Sequence, residues 1–417
     1  MRMLCIVFYV FWSFNSFAQK ENQIDWKSDI EFLKNELPKR HKNLFFKYSR
    51  EDFYSSLDQL KVECSMLTDL QVALRLQQVI VKVGDAHTNI DYKKYLGKGR
   101  NLPFSIVWYT DGLTINLSTN QNDIIVGTKL KKVNGFPVEV IIDSLSTLFV
   151  VDNEACKLLS VPRMITNYQL LNYFGFTKEG NPEIEVESTD GKTLIHTLLY
   201  GDLSKSTIVE KKAEVVPYYL SHPELLFTEK YFEEDSLYFV QYNKCWSREL
   251  EEQFGDKNKA KNLSSFTEFE QVVFKTFKER PIKKLIVDLR FNSGGASPQG
   301  TEFIKQIAED KSVNKKGVIY VVIGRRTFSS GIINVLDFKK YTNAIIIGEE
   351  TAGRPNHFGE VKKFNLPSSD ITVGYSTKYF SMTSEKENSI VPDIKCRLDF
   401  SDYINGVDPV YNYVRNQ

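Results

Sequence analysis

Leu285-Ile-Val-Asp-Leu-Arg-Phe-Asn-Ser-Gly-Gly295 is an apolar strand that runs into a polar, glycine-bearing loop. A second strand, Val318-Ile-Tyr-Val-Val-Ile-Gly324, leads through Arg325, Arg326, Thr327 and Phe328 to two serines, Ser329 and Ser330, ahead of Gly331. A third, Ala344-Ile-Ile-Ile-Gly348, opens into Glu349-Glu-Thr-Ala-Gly-Arg354. Buried-type strands separated by helix-length segments predict an α/β block with a mainly parallel sheet and covering helices. A serine at a helix start faces unpaired backbone N–H groups and a positive dipole end, which favour a hydroxyl or a developing oxyanion. Helix capping is the commoner use of such a serine. Glycines 294 and 295 lack a Cβ, so their backbone N–H groups can approach a ligand closely. Together these pieces can build a nucleophile beside an oxyanion hole. Asp288 and Arg290, on the same loop, are read as a structural ion pair.

Outward from this stretch, residues 205–417 form the largest block. Ser236–Tyr242 reads as a strand, and Ser265–Glu279 as a helix with Phe266, Phe269, Val273 and Phe277 on one face. Residues 19–100 form an N-terminal helical region, of which 24–83 read as helical. Trp26, Ile30, Leu33 and Leu37 recur at helical spacing up to Pro38, and Thr68-Asp69 caps a helix that Gly84 ends. Asp85-Ala-His-Thr88 follows at once, so His87 sits in a polar turn just past a helix end. Residues 101–204 differ in texture: strands around Asp111-Gly112, an Asn134-Gly135 turn before an apolar helix, and a strand pair around Asp190-Gly191. That order resembles a PDZ domain, which captures an extended peptide by strand addition.

Composition is that of a globular protein, with 42% hydrophobic and 26% charged residues over 417 positions, long enough for two or three domains. A formal net charge of +1 gives no reason to expect nucleic acid or an anionic membrane as partner. Residues 1–18 read as a secretory signal: Arg2, an apolar run from Leu4 to Phe14, and Ser16-Phe-Ala18 as the cleavage site. The expected location is therefore secreted or periplasmic, with no integral membrane segment after signal removal. Cys64, Cys156, Cys245 and Cys396 remain after the signal; their wide spacing leaves disulfides and buried thiols both open and matches no metal site.

Four segments in fixed order carry a resemblance: Asp288-Leu-Arg-Phe-Asn-Ser-Gly-Gly295, Thr327-Phe-Ser-Ser-Gly331, Gly348-Glu-Glu-Thr-Ala-Gly353 and Val391-Pro-Asp-Ile394. They are similar to the tail-specific, or C-terminal-processing, serine peptidases, with tricorn-core and interphotoreceptor retinoid-binding relatives. The resemblance spans roughly residues 25–417. It implies a crotonase/ClpP-like α/β protease core at 205–417, an N-terminal helical region and an inserted PDZ-like β-rich domain. It further implies a peptide or protein substrate and no cofactor or metal. The family's nucleophile lies nineteen residues before the glycine of its Gly-Glu element, which here is Ser329, with Ser330 the competitor. The implied oxyanion donors are the N–H groups of Ser330 and of Gly294 or Gly295.

The general base departs from one branch of that family. Where the processing proteases carry a lysine, this chain has Arg354, and a guanidinium stays protonated in proteins. Lys362 and Lys363 have no motif to nominate them. The tricorn-like branch takes a histidine from before the PDZ region, and Asp85-Ala-His-Thr88 resembles its Asp-Gly-His-Thr segment. Of five histidines, His87 is therefore the candidate base; His41, His196 and His222 lack such context, and His357 lies close enough to Arg354 to line the cleft. Glu387 is the residue implied to orient the imidazole, with Glu385 and Asp85 as competitors. The serine that precedes the histidine in that branch is Ala86 here, which keeps a catalytically weakened, peptide-binding relative as the alternative. An α/β-hydrolase would need a G-x-S-x-G elbow, and neither serine has one.

Overall fold

The computed structural model of the chain describes residues 24–97, 101–384 and 386–417. The expected signal segment and the competitor Glu385 lie outside the described residues. Three helices open it: α1 (Trp26–Arg40), α2 (Arg50–Glu63) and α3 (Asp69–Val81). Pro38, expected to close α1, lies inside it and the helix runs on to Arg40. Only two residues follow, so the missing proline N–H forfeits a single bond near an end that frays anyway. Thr68 and Gln71 form a reciprocal capping box on α3. Gly84, at φ +81°, then turns the chain into Asp85–Thr88 and the two-residue strand β1 (Asn89–Ile90).

The next region is a twisted antiparallel sheet. Its elements are β2 (Phe104–Tyr109), β3 (Gly112–Thr119), β4 (Lys129–Val133), β5 (Phe136–Pro137), α4 (Val138–Leu145), α5 (Glu154–Ser160) and α6 (Tyr168–Tyr173). β6 (Glu183–Glu187), β7 (Thr193–Thr197) and β8 (Ile208–Glu210) complete it. The strand order is β2-β3-β4-β6-β7, with β5 on β4 and β8 on β3. Asn134 and Gly135 both take positive φ, 52° and 83°, as the tight β4–β5 hairpin requires. β2 is an edge strand of this sheet.

The remaining chain is α/β. It contains α7 (Tyr218–Ser221), β9 (Phe227–Phe232), β10 (Leu237–Tyr242), α8 (Arg248–Phe254), α9 (Lys257–Ala260), α10 (Phe266–Glu279) and β11 (Lys284–Asp288). Then follow α11 (Ser297–Glu309), β12 (Ile319–Ile323), α12 (Ser330–Tyr341), β13 (Ile345–Gly348), β14 (His357–Asn365) and β15 (Thr372–Phe380). β16 (Ile394–Lys395), α13 (Phe400–Ile404) and α14 (Pro409–Arg415) end it. The six-stranded sheet runs β16-β13-β12-β11-β10-β9, parallel except for β9. One face is covered by α10, α11 and α12 through Phe269, Val273, Phe303 and Val335; the other takes Tyr219 of α7 and Val410 and Val414 of α14. This mixed α/β block, with a helical region before it and a β-rich insertion, is the coarse architecture expected from the sequence.

One hairpin ties these regions together. β14 and β15 leave the core, and β15 pairs with β1, Asn89 opposite Gly374 and Ile90 opposite Val373. In the hairpin turn, the Ser368 and Ser369 N–H groups donate to the two oxygens of buried Asp29, each at 2.8 Å. Val373 and Tyr375 share a hydrophobic core with Leu33, Leu74 and the inserted sheet's Ile115 and Val186. The Asp85–Thr88 turn is thereby carried to the β12–α12 junction. All four cysteines of the described residues are free thiols, three of them buried. No helix among the described residues is long and apolar enough to cross a membrane.

Candidate active site

Ser329 stands at the N-cap position of α12, yet its side chain caps nothing. Its backbone lies at φ 52°, ψ −121°, a region that non-glycine residues avoid because Cβ crowds the following carbonyl. An ordinary N-cap serine is extended and bonds to the N2 or N3 N–H. Here the hydroxyl makes no hydrogen bond among the described residues. Ser330, one residue on, is spoken for: its Oγ donates to the Gly295 carbonyl at 2.7 Å and the residue is buried.

The glycine loop after β11 lies against this turn. A Cβ on Gly294 would come within 2.9 Å of the Ser329 Cβ and 3.0 Å of the Ser330 nitrogen. A Cβ on Gly295 would lie 2.1 Å from the Cys245 carbonyl oxygen, so only glycine fits. Buried Asn292 organises the loop. Its Oδ1 accepts the Gly294 N–H at 2.9 Å, its Nδ2 donates to the Tyr242 carbonyl, and its own carbonyl accepts the Phe328 N–H. Gly294 thus has its N–H occupied, while those of Gly295 and Ser330 have no partner among the described residues. Of the two glycines implied by resemblance, Gly295 is the one with a free donor.

His87 reaches the site through a stack of four rings. Its imidazole lies 4.7 Å from the Phe328 ring and 5.7 Å from that of His357, which in turn lies 5.4 Å from Phe380, all at interplanar angles of 21–28°. Phe328 directly precedes Ser329. The His87 Nδ1 is 3.9 Å from Asp85 Oδ1, beyond a hydrogen bond. Nε2 is buried without a partner. Burial pulls the His87 pKa down to about 4; Asp85 opposes this, and the neighbouring His357 adds to it. The imidazole is therefore neutral at physiological pH.

Asp85 anchors the turn rather than the ring. Its Oδ1 accepts the His87 N–H at 2.9 Å, and its Oδ2 accepts the Thr88 hydroxyl at 2.6 Å and pairs with His41 Nε2 at 3.0 Å. Burial alone would raise this carboxyl, but the bonds from His41, Thr88 and the His87 N–H, with the nearby Ser376 hydroxyl, outweigh it and hold the pKa at about 2. The tautomer of His41 follows from its partners: Nδ1 accepts the Asn43 N–H, so Nε2 carries the proton that meets Asp85. No local pattern marks His41 in the sequence, since its partner lies 44 residues away.

Glu387 lines the same cavity as His87, about 590 Å³ and bordered by Phe328, Arg354 and His357. Its carboxylate is exposed and makes no hydrogen bond or ion pair among the described residues. Arg354, also on this cavity, pairs with Asp152 of the inserted region, a carboxylate only 4% exposed. Asn153 adds bonds to the carbonyls of Thr351 and Asn388. Asp288 and Arg290 form the expected buried ion pair at 2.7 Å, extended by a bidentate bond from Arg290 to Asp408. The network braces β11 against α14. Cys245, beside the glycine loop, is wholly buried, which pushes its thiol up to about 12 and keeps it unreactive.

No curated protein matches the chain. The solved structure of mature CPAF complexed with lactacystin is 14% identical, with 94% of this chain and 96% of that one aligned at a TM-score of 0.61. Mature CPAF on its own gives the same identity and TM-score, over 93% of this chain and 95% of that one. At that identity the likeness concerns the fold. Residues 262–396, which hold the glycine loop, both serines, Arg354 and Glu387, match the model of peptidase family S41.

Proposed function

We propose that this protein is an exported serine peptidase that cleaves peptide bonds through an acyl-enzyme on Ser329. His87 Nε2 accepts the Ser329 proton as Oγ attacks the substrate carbonyl, and returns it to the leaving amine. The Ser330 and Gly295 N–H groups hold the oxyanion. Water, deprotonated by the same imidazole, then releases the acyl group and restores Ser329. A crotonase/ClpP-like core suits this assignment, because the strand-to-helix turn and the glycine loop offer two amides to one oxygen. The PDZ-like region selects or gates the substrate.

The single observation that carries the reading is Ser329 itself: an uncapping serine at positive φ, its hydroxyl unbonded, beside a glycine with a free N–H. Strain of that kind costs roughly 1–3 kcal/mol and persists where the surroundings impose it, often at a reacting residue. A fluorophosphonate probe should label the purified mature chain at Ser329, and Ser329→Ala should lose both labelling and peptidase activity. Full activity in that variant would end the proposal. The alternative, a peptide-binding protein with weakened catalysis, draws on the missing bond between any carboxylate and the His87 ring nitrogens. Peptide binding without labelling would favour it.

A further inference from the structure

The turn from Gly324 to Ser330 contributes to two cavities, Phe328 lining one and Gly324, Arg325 and Arg326 the other. One holds His87. The other, about 720 Å³, opens between the edge strand β2, the helix α5 with the residues after it, and the carboxyl ends of β11, β12 and β13. Trp108, Leu159 and Phe291 give it an apolar lining. Its charges are unbalanced. Among its lining residues are four arginines, 163, 290, 325 and 326, and one carboxylate, Glu349. Arg290 is neutralised by Asp288 and Asp408, and Arg325 by Glu349 at 2.8 Å, while also donating to the Trp108 carbonyl. Arg163 and Arg326 have no acidic partner among the described residues. They repel one another, and burial together with Arg163 draws the Arg326 pKa downward. The Arg326 guanidinium lies 5.1 Å from the Phe291 ring centre, a cation–π contact that holds it beside the apolar lining.

We propose that this cleft is a substrate subsite for a carboxylate flanked by apolar residues, held by Arg326 with Arg163. The source favoured is an acidic side chain of the bound peptide. Arg326 precedes Ser329 by three residues, so their Cα atoms lie within about 11 Å, the limit of an extended chain. An extended peptide advances roughly 3.3 Å per residue, which places the acidic position within about three residues of the scissile bond. The apolar lining accepts its neighbours, and two unpaired cations reject a basic residue there. This inference deepens the peptidase reading and, for its meaning as a cleavage preference, rests on it.

Binding separates the two. Three fluorescent peptides of one apolar sequence are titrated by anisotropy against full mature chain carrying Ser329→Ala. The first has one internal Glu and an amidated end; the second has Gln there and the same end; the third has Gln and a free terminal carboxylate. The Glu peptide should bind at least ten-fold tighter than its Gln counterpart. The gap should shrink in high salt, close in Arg326→Gln, and narrow in Arg163→Gln. Tighter binding by the free-acid peptide alone keeps the carboxylate site and assigns its source to a chain end. Equal binding of all three, absent binding included, overturns the proposal. So does a gap that survives both arginine substitutions. Failure of the fluorophosphonate to label the unsubstituted chain, with the Glu preference intact, would instead sink the peptidase reading alone.

Discussion

Ser329 and Ser330 are adjacent hydroxyls with opposite circumstances, and substitution separates their roles. Ser330→Ala removes one neutral hydrogen bond to the Gly295 carbonyl, which costs about 1 kcal/mol of stability. It should leave fluorophosphonate labelling in place with turnover lowered several-fold. Abolished labelling in Ser330→Ala alone would transfer the nucleophile to Ser330. The base makes a second prediction. Because burial holds His87 near 4, the acid limb of kcat/KM should have its midpoint at about pH 4, not at the ordinary imidazole value. A limb near 6.5 would show that His87 is not the base or is not buried in the working enzyme. The same shifts bear on stability. Both folded-state pKa values are depressed, so each group stabilises the fold above its unfolded pKa and loses that contribution as pH falls. For His87 the loss runs from about 6.5 down to about 4, and for Asp85 from about 3.8 down to about 2. The loss is on the order of 3 kcal/mol for His87 and 2 kcal/mol for Asp85. Denaturant midpoints should therefore decline below pH 6.5 in two stages, and Asp85→Asn should remove the lower one.

The glycine loop and the β14–β15 hairpin are the two elements on which the site depends. Gly295→Ala would set a methyl 2.1 Å from a backbone oxygen that cannot rotate away, at a φ of +143°. The loop would have to move and would carry the Gly295 N–H with it. Loss of one oxyanion donor costs roughly 10²–10³ in kcat, so kcat should fall at least 100-fold with KM little changed; near-normal kcat would remove Gly295 from the oxyanion hole. At this scale the sequence is readable where the signal is local. The Thr68-Asp69 cap, the Asn134-Gly135 turn, the helix over 265–279 and the apolar strands at 285–289 and 318–323 each declare themselves within a few residues. The hairpin does not. Nothing near Asn89 says that it will lie opposite Gly374, and nothing near His41 says that it will meet Asp85. The four-ring stack, with His357 next to His87, joins three segments far apart in the chain, and its members become neighbours only when β15 pairs with β1. Glu387 shows the converse, a residue placed by motif order whose side chain the fold leaves in solvent.

Across the whole molecule, the inserted region is fastened to the site through residues 351–354 and Asn388. Arg354 pairs with Asp152, Asn153 bonds to the Thr351 and Asn388 carbonyls, and the Cys156 thiol donates to the Ala352 carbonyl at 2.8 Å. The clasped segment, 351–354, includes Gly353. A Cβ there would lie 2.6 Å from the Phe328 ring and 2.8 Å from Ile332. Phe328 carries both the stack under His87 and the chain into Ser329, so movement of the insertion has a short route to the reacting groups. Truncating Arg354 leaves Asp152 almost buried and unpaired, a state costing roughly 1–3 kcal/mol, more for a charged group. Arg354→Ala should therefore raise hydrogen exchange at 151–157 and lower kcat by about ten-fold through Phe328. Asp152→Ala with Arg354→Ala should be no worse than either change alone, because one interaction is lost once. Arg354→Lys can keep the charge pair but not the guanidinium fork. It should retain most of the activity, while combining Arg354→Lys with His87→Ala should restore none of what the histidine substitution removes. Recovery of activity in that double variant would mean that a lysine in this position can reach the Ser329 proton, and that the Asp152 clasp is an accident of the arginine rather than the coupling between insertion and site.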